Sequence, residues 1–175
     1  MIGSGGWSDS GKSVHACTPA YHALCSSTAI GIDPRMRYRI HCDGACRGNP
    51  GEAAAGVVIY DAYGAIAGRI ALRLGVMTNN QAEYQAVLAG MRLVEQLRPS
   101  AIEFRLDSEL AAQQLSGAWK IKNANLRNLA ARVHAAAPND VPVSYVHVAR
   151  SENSLADRLA NWALDRTSPD TPSEF

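Results

Sequence analysis

The spacing of apolar residues in this 175-residue chain changes from a strand period to a helical period near residue 78, and that change limits the folds that the chain can adopt. Before it, residues 37–43 alternate between apolar and polar, residues 54–60 form an apolar run, and residues 65–74 follow after a turn. Each of these segments is typical of a β-strand. After the change, apolar residues recur at helical spacing over 80–97. The three consecutive strands predict an antiparallel meander, which a helix then follows.

The second half of the chain alternates between helical and strand patterns. We predict further elements in this order: a strand over 101–107, helices over 109–115 and 123–136, a strand over 141–148, and a last helix from Ser151 to about residue 165. The resulting order, βββ-α-β-α-α-β-α, contains no internal repeat. It places the chain in the α/β class with strands and helices mixed.

The composition predicts one globular domain with segments of different character at both ends. Apolar residues make up 47% of the chain, and its length is sufficient for one domain with a core. We expect residues 1–36, which are rich in Gly, Ser, Ala and His, to form a poorly ordered extension. Residues 37–166 should form the domain, and residues 167–175 a flexible tail.

The net charge limits how the chain can bind nucleic acid, and the targeting signals bear on its cellular compartment. The net charge is only +1, so binding of nucleic acid must come from a local patch or a metal rather than from overall attraction. No apolar run approaches the ~20 residues that span a bilayer. The N-terminus lacks the basic start and apolar stretch of a secretory signal. We therefore predict a cytoplasmic protein without membrane association, whose cysteines are reduced thiols rather than zinc ligands.

Four acidic residues, Asp43, Glu83, Asp107 and Asp157, follow or interrupt separate apolar elements. Asp43 and Asp107 end strands on the face opposite the apolar residues, and Glu83 lies on or beside the buried face of its helix. A bare carboxylate is costly in such places, and a divalent cation that several carboxylates share removes that cost. Turn chemistry or helix-dipole compensation would explain any one aspartate alone. The joint placement favours a metal site for phosphodiester chemistry.

The segments around these acids resemble four motifs of the type 1 ribonuclease H family. Residues 40–51 (IHCDGACRGNPG) resemble the opening strand and turn, residues 78–84 (TNNQAEY) the first-helix motif, and residues 106–108 (LDS) the fourth-strand motif. Residues 152–161, with Glu152-Asn153 followed by Ala156-Asp157, resemble the last motif. The motifs occur in the family's order, on the predicted elements, and the resemblance covers about residues 38–165.

The resemblance implies a fold, a reaction and a cofactor. The fold is a five-stranded mixed sheet, with three antiparallel strands and then two parallel ones, flanked by helices. The reaction is endonucleolytic hydrolysis of the RNA strand of RNA–DNA hybrids, which leaves 5′-phosphate and 3′-hydroxyl ends. The four acids would be catalytic and would hold two Mg²⁺ ions, with Mn²⁺ as a substitute. Two metals ~4 Å apart can activate the attacking water and stabilise the leaving oxygen.

The resemblance also implies residues that contact the substrate. The amides of Asn49, Asn79 and Asn80 match family positions that touch backbone and 2′-hydroxyls, and an amide both donates and accepts hydrogen bonds. Taken alone, Asn49 would be a turn residue and Asn79 a helix cap. Thr78 matches a position near a DNA phosphate, although it is an equally good helix cap. The backbone of Gly44 and the side chain of Ser108 complete this set.

The chain departs from longer family members between its second and third predicted helices. Those members carry a basic, Trp-rich protrusion there, whereas this chain has only residues 117–123 (GAWKIKN) and resembles the compact form. Trp119, Lys120 and Lys122 are either a remnant of the substrate-binding surface or, for Trp119, part of the core. We expect a weaker grip on the hybrid and strong salt sensitivity.

Two residues compete for an accessory catalytic role before the last motif. His147 stands at the distance from Asp157 at which family members often have a histidine, but it continues the alternation of Val143 and Tyr145, which favours a packed ring. Compact relatives have an arginine in the following loop, matched by Arg150. An arginine binds phosphate but cannot act as a base at neutral pH. We favour Arg150 as the phosphate contact and keep His147 as a candidate.

The sequence leaves two alternatives to a stand-alone nuclease. A module that binds hybrid or double-stranded RNA without cleaving it would not need all four acids. A nuclease part of a larger assembly is the other alternative, but the chain ends soon after the last predicted helix, which gives no support to a fusion. We predict a monomer that acts on RNA–DNA hybrid, with double-stranded RNA as an open second substrate.

Overall fold

The computed structural model describes residues 36–166 and shows a mixed β-sheet with helices on both of its faces. The strands are β1 (Arg37–Gly48), β2 (Gly51–Tyr60), β3 (Ile66–Met77), β4 (Ala101–Leu106) and β5 (Val143–His147). The helices are α1 (Asn79–Glu95), α2 (Glu109–Leu115), α3 (Ala124–Ala135) and α4 (Ser154–Asp165). The predicted order of elements is confirmed. Our expectations for residues 1–35 and 167–175 lie outside the described residues.

The sheet has the strand order β3-β2-β1-β4-β5. The pairs β1–β2 and β2–β3 are antiparallel, and β1–β4 and β4–β5 are parallel, so the predicted mixed sheet is confirmed. The parallel ladder between β1 and β4 ends at the pair Cys42 and Leu106. Asp43 and Asp107 are the next residues on their strands, so the topology brings these two acids together.

One sequence-based expectation about Asp43 is wrong. Asp43 does not end its strand, because β1 continues to Gly48. The extra residues are held by the antiparallel ladder to β2, which runs on to the pair Gly48 and Gly51. Asp43 therefore lies inside a strand that is paired on one side and free on the other, just beyond the last residue of β4.

Helix α1 covers the apolar face of the central strands. Ile40 and Cys42 of β1 and Phe104 of β4 are fully buried on this face. A Cβ atom at Gly90 of α1 would lie 3.1 Å from a side-chain atom of each of these three residues. The helix and sheet backbones thus approach closely in the middle of α1, and α3 packs against the other side of α1.

Helix α4 covers the opposite face and contacts mainly β2 and β1. A Cβ atom at Gly56 of β2 would lie 2.0 Å from the Ala156 carbonyl oxygen, so glycine is required for this packing. Gly56 pairs with Asp43 across the antiparallel ladder, and paired residues point to the same face. The Asp43 side chain is therefore directed towards the layer that holds α4.

The last helix begins later than the predicted position at Ser151. Residues Arg150–Asn153 form a 3₁₀ turn, in which the Glu152 N–H donates to the Ala149 carbonyl at 2.9 Å, and α4 starts at Ser154. The tighter turn brings Asn153 inward, where its side chain is buried. Within residues 36–166, no helix combines the length and the apolar character that crossing a bilayer requires.

Candidate active site

A cavity of about 550 Å³, which we call the acidic cavity, opens where the β1–β4 ladder ends. All four predicted carboxylates line it: Asp43 from β1, Glu83 from α1, Asp107 after β4 and Asp157 from the first turn of α4. One carboxylate oxygen from each of Asp43, Glu83 and Asp107 lies within 4.8 Å of the others. The fold thus gathers the acids that the sequence pattern singled out.

Close contact between α1 and β1 places Glu83 in this cluster. A Cβ atom at Gly44 would lie 2.2 Å from the Glu83 backbone nitrogen, so the start of α1 lies directly on the β1 backbone. The Glu83 side chain is buried and accepts a backbone hydrogen bond from Gly44. Its Oε2 atom is also buried, and it has no hydrogen-bond partner among residues 36–166. A buried acceptor without a partner in a group of carboxylates is the kind of atom that a cation satisfies.

The electrostatics of the cluster also fit a divalent cation. Burial raises the pKa of Asp43 from 3.8 to about 7, and the neighbouring carboxylates of Asp107 and Asp157 add to the effect. Burial likewise raises the pKa of Glu83 well above its usual value, with further contributions from Asp43 and Asp107. Carboxylates that are buried close to one another hold protons more tightly, because burial and mutual repulsion disfavour their charged forms. A divalent cation would replace those protons and balance the negative charge.

We expect the metal-free protein to lose stability as the pH rises from about 4 to about 7. Because the pKa of Asp43 is higher in the folded state, the folded state binds more protons than the unfolded state in this window, and the free energy of unfolding falls with pH. Glu83 acts in the same direction. In EDTA, the Tm at pH 8 should be roughly 5 °C or more below that at pH 5. Circular dichroism melting curves measure this difference.

The matched control for this prediction is Asp43→Asn, whose side chain stays uncharged. Its metal-free Tm should change less between pH 5 and pH 8 than that of the original chain. Addition of Mg²⁺ at pH 8 should raise the Tm of the original chain and have a smaller effect on the variant. Identical pH profiles for the two proteins would contradict the prediction.

A cationic side chain lies at the edge of the acid cluster. Arg150, in the 3₁₀ turn, donates from its guanidinium to Asp157 Oδ1 at 2.7 Å, and this hydrogen bond raises the pKa of Arg150. The Arg150 side chain is 78% exposed, so it can move without disturbing the core. Arg150 thus offsets part of the negative charge and faces the solvent side of the acidic cavity.

His147 does not line the acidic cavity, although it pairs with Leu106, the residue before Asp107. The expectation of a packed His147 ring is wrong, because His147 is the last residue of β5 and its side chain is exposed. His147 lines neither the acidic cavity nor the groove that adjoins it. Strand alternation alone gave no indication that β5 ends at His147.

A second cavity of about 290 Å³, which we call the amide groove, adjoins the acidic cavity. It is lined by Asn49, Thr78, Asn80, Gln81, Asn123, Asn125 and Leu126. The two cavities meet where Asn49 Oδ1 accepts a hydrogen bond from the Asn79 backbone N–H at 3.1 Å. Asn123 and Asn125 had not been predicted as site residues, although the asparagine-rich start of α3 was the available signal.

The helix-cap interpretations are resolved by the start of α1. Thr78 is the N-cap, and it forms a capping box with Gln81: the Gln81 side chain accepts from the Thr78 N–H at 2.9 Å. The cap interpretation is wrong for Asn79, which is the first residue of the helix and whose side chain is left for other contacts. Asn49 lies in the β1–β2 turn, as expected for a turn residue, and its side chain ties that turn to α1.

The remaining predicted substrate contacts divide into two groups. Gly44, Asn79 and Ser108 line the acidic cavity, and Ser108 also caps α2 by accepting from the Ala111 N–H at 3.3 Å. Trp119 and Lys122 lie on the exposed segment between α2 and α3 and line neither cavity. Trp119 is 47% exposed, so the interpretation of this ring as part of the core is wrong.

The fold and the acid cluster define a nuclease of the ribonuclease H-like class, and comparison with known proteins agrees. A family model described as reverse transcriptase-like matches residues 41–163, a segment that contains all four carboxylates. Ribonuclease HI of Halobacterium salinarum is 40% identical over 140 residues, which are 79% of this chain and 70% of that protein. The chain therefore belongs to the type 1 ribonuclease H family of hydrolases.

Solved structures of relatives have the same fold. The N-terminal ribonuclease H domain of Rv2228c from Mycobacterium tuberculosis is 36% identical, with a TM-score of 0.71 over 74% of this chain and 94% of that one. LC11 ribonuclease H1, solved in complex with an RNA/DNA hybrid, is 32% identical, with a TM-score of 0.68 over 73% of this chain and 96% of that one. The whole M. tuberculosis protein, named bifunctional protein Rv2228c, is longer, and the match spans 36% of its length.

Proposed function

We propose that the chain hydrolyses the RNA strand of RNA–DNA hybrids at the acidic cavity and leaves 5′-phosphate and 3′-hydroxyl ends. The observation that carries the proposal is the meeting of Asp43, Glu83 and Asp107 oxygens within 4.8 Å of one another, beside a buried Glu83 Oε2 that has no hydrogen-bond partner in the described part of the chain. The hybrid bound to the related LC11 enzyme supports the choice of substrate. All four acids are present, which a module that only binds nucleic acid would not need.

In this proposal Asp43, Glu83, Asp107 and Asp157 hold two Mg²⁺ ions, for which Mn²⁺ can substitute. When bound, the ions would activate the attacking water and stabilise the negative charge on the leaving 3′-oxygen. The chain contributes fixed ligands: Asp43 and Asp107 are held at the end of the parallel ladder, and Glu83 is held by the contact of α1 with Gly44. Preorganised ligands of this kind do not need to rearrange during the reaction.

Arg150 is the proposed phosphate contact. Its guanidinium already bonds to a carboxylate of the acidic cavity, and it presents several donors in a planar arrangement that suits phosphate oxygens. Because Arg150 stays protonated at neutral pH, it can stabilise charge but cannot remove a proton from water. His147, exposed at the end of β5, remains the candidate for an accessory proton carrier.

Substrate choice is assigned to uncharged groups next to the acids. The backbone of Gly44 and the side chains of Asn49, Asn79 and Asn80 lie along the two cavities, where donors and acceptors can contact 2′-hydroxyls. In the proposal Thr78 and Ser108 contact substrate phosphates or sugars in addition to capping their helices. Trp119 and Lys122 would contact the hybrid further along, outside both cavities.

Loss of one of these amides should weaken substrate binding more than catalysis. Asn80 is exposed at the start of α1 and lines the amide groove, so its removal leaves the fold intact. In Asn80→Ala we expect KM for the hybrid to rise roughly 2–10-fold, as for the loss of one hydrogen bond, with kcat little changed. Steady-state cleavage of a labelled hybrid measures both constants.

The control for this variant is Asn128→Ala, which alters an exposed asparagine on α3 that lines neither cavity. It should leave KM and kcat unchanged. A KM for Asn80→Ala equal to that of the control would remove Asn80 from the substrate-binding set.

The proposed function is tested by incubation of the purified chain with labelled RNA–DNA hybrid, double-stranded RNA and double-stranded DNA. Each reaction contains Mg²⁺, Mn²⁺ or EDTA, and the ends of the products are analysed. We expect selective cutting of the RNA strand of the hybrid, dependent on a divalent ion. Cutting of double-stranded DNA alone, or equal cutting in EDTA, would overturn the proposal. Cutting of double-stranded RNA would extend the substrate range.

The proposal includes a monomeric enzyme that acts in the cytoplasm. Cys42 and Cys46 are free thiols among the described residues, and the cytoplasm keeps thiols reduced. Size-exclusion chromatography with light scattering tests the oligomeric state. A mass of 18.7 kDa is expected for the monomer.

A further inference from the structure

Asn153 is a buried polar residue without an assigned role. Within residues 36–166, the buried polar and charged residues are Asp43, Glu83 and Asn153, and Asn153 has no exposed surface. Its position is the N-cap of α4, where an asparagine side chain usually accepts a hydrogen bond from the first turn. The Asn153 side chain makes no such capping bond. The amide is directed into the protein instead.

The amide nitrogen of Asn153 joins three parts of the active-site region. Nδ2 donates to the Cys42 carbonyl oxygen of β1 at 2.8 Å and to Asp107 Oδ1, just after β4, at 2.9 Å. Both partners are acceptors, so rotation of the amide by 180° would place an oxygen against two oxygens. The orientation of the side chain is therefore unambiguous.

This arrangement is unfavourable for local stability. Asn153 Oδ1 is buried and makes no hydrogen bond of normal geometry among the described residues, although the Asn153 side chain interacts with the His41 ring. A buried polar atom without a good partner destabilises the fold, and so does a missing helix cap. Residues that break local rules in this way are expected at functional sites. The gain lies in the two bonds of Nδ2, one of which ends on an acid of the cluster.

We propose that Asn153 is a positioning residue that fixes the Asp107 carboxylate for binding of a divalent cation. The Nδ2–H group donates to one oxygen of Asp107 and thereby holds the carboxylate in one orientation. The bond to the Cys42 carbonyl fixes Asn153 itself relative to the strand that carries Asp43. This inference rests on the proposed function, because it treats Asp107 as a metal ligand.

The test compares Mg²⁺ binding in three variants without substrate. Asn153→Ala removes the amide, and Asn153→Leu keeps a branched side chain of similar shape but has no donor. Val133→Ala is the stability control, because Val133 is a fully buried core residue of α3 that lines neither cavity. The Tm is measured against Mg²⁺ concentration, and kcat and KM are measured with labelled hybrid.

We expect both Asn153 variants to need at least ~10-fold more Mg²⁺ for half of the full stabilisation, as for the loss of a group that orients a metal ligand. Their kcat at fixed Mg²⁺ should fall at least ~10-fold, with KM for the hybrid little changed. Val133→Ala should lose stability but keep the original Mg²⁺ midpoint. Midpoints in both Asn153 variants that match the Val133→Ala midpoint would show that Asn153 only supports the fold, and would overturn the inference.

A measurement on the unmodified chain covers the case in which the Asn153 variants do not fold. The side-chain N–H₂ signals of Asn153 in a ¹⁵N spectrum should shift on addition of Mg²⁺, with the same midpoint as the thermal stabilisation. Signals that stay in place while the Tm rises would overturn the inference. If the unmodified chain shows neither Mg²⁺ stabilisation nor cleavage, the proposed function itself has failed. A failure of the Asn153 inference alone leaves both of those intact.

Discussion

Replacement of Asp107 by asparagine is expected to lower hydrolysis of RNA–DNA hybrid at least ~10³-fold, equivalent to about 4 kcal/mol of transition-state stabilisation. The amide has the size of the carboxylate and can still accept the hydrogen bond from Asn153, but it removes one negative charge from the cluster. The same loss of charge should raise the Tm of the metal-free protein, because Asp107 increases the cost of ionising the buried Asp43 and Glu83. Activity and stability should thus change in opposite directions.

The matched control is Asp140→Asn, the same chemical change at an exposed residue before β5. Asp140 has a φ of 63°, a left-handed conformation that asparagine tolerates, so the variant should fold and cleave normally. Cleavage is measured with labelled hybrid at saturating Mg²⁺, and binding of the hybrid is measured in parallel. Substantial cleavage by Asp107→Asn, with a normal control, would move the chemistry away from the acidic cavity.

Replacement of Gly44 by alanine is expected to abolish activity by a different route. The added Cβ would lie 2.2 Å from the Glu83 nitrogen and 2.3 Å from the Ala82 carbonyl carbon, and backbone atoms cannot rotate out of the way. The start of α1 must therefore move from β1, and Glu83 moves with it. We expect a loss of about 3 kcal/mol of stability and a fall of about 10 °C in the Tm.

Gly68→Ala is the control for this variant. A Cβ at Gly68 of β3 would meet its nearest neighbours at 3.7 and 3.8 Å, which are ordinary contact distances, so its Tm should change by only a few degrees. Thermal melts in EDTA and in Mg²⁺ separate the two effects of Gly44→Ala. Gly44→Ala should have a lower Tm in EDTA, and Mg²⁺ should no longer raise it. Retention of wild-type activity by Gly44→Ala would show that α1 is not fixed by this contact.

Local patterns were sufficient to predict the order of elements and to single out the four carboxylates, but not the pairing of β1 with β4 that brings Asp43 and Asp107 together. The alternation around Asp43, the helical spacing that puts Glu83 on a buried face, and the apolar strand before Asp107 are all readable over a few residues. The family's motif order then supplied the mixed sheet, which no local pattern contains. The assignment of the five-stranded mixed sheet rested on that resemblance.

Features that depend on distant residues were missed. The end of β1 is fixed by pairing with β2, whereas residues 44–48 show no apolar alternation of their own. His147 was expected to pack because its neighbours alternate, but it is the last residue of β5 and is exposed there. Asn153 is 111 residues from the carbonyl that it binds on β1. No sequence period relates residues at such distances.

The side-by-side arrangement of the acidic cavity and the amide groove has an evolutionary consequence. In the proposed function, the groups that hold ions and the groups that contact the sugar come from different side chains, and a hydrogen bond between Asn49 and Asn79 joins the two cavities. Under that proposal, substitutions among the asparagines would alter which duplex is accepted while the ion-binding acids, and with them the speed of cutting, are inherited unchanged.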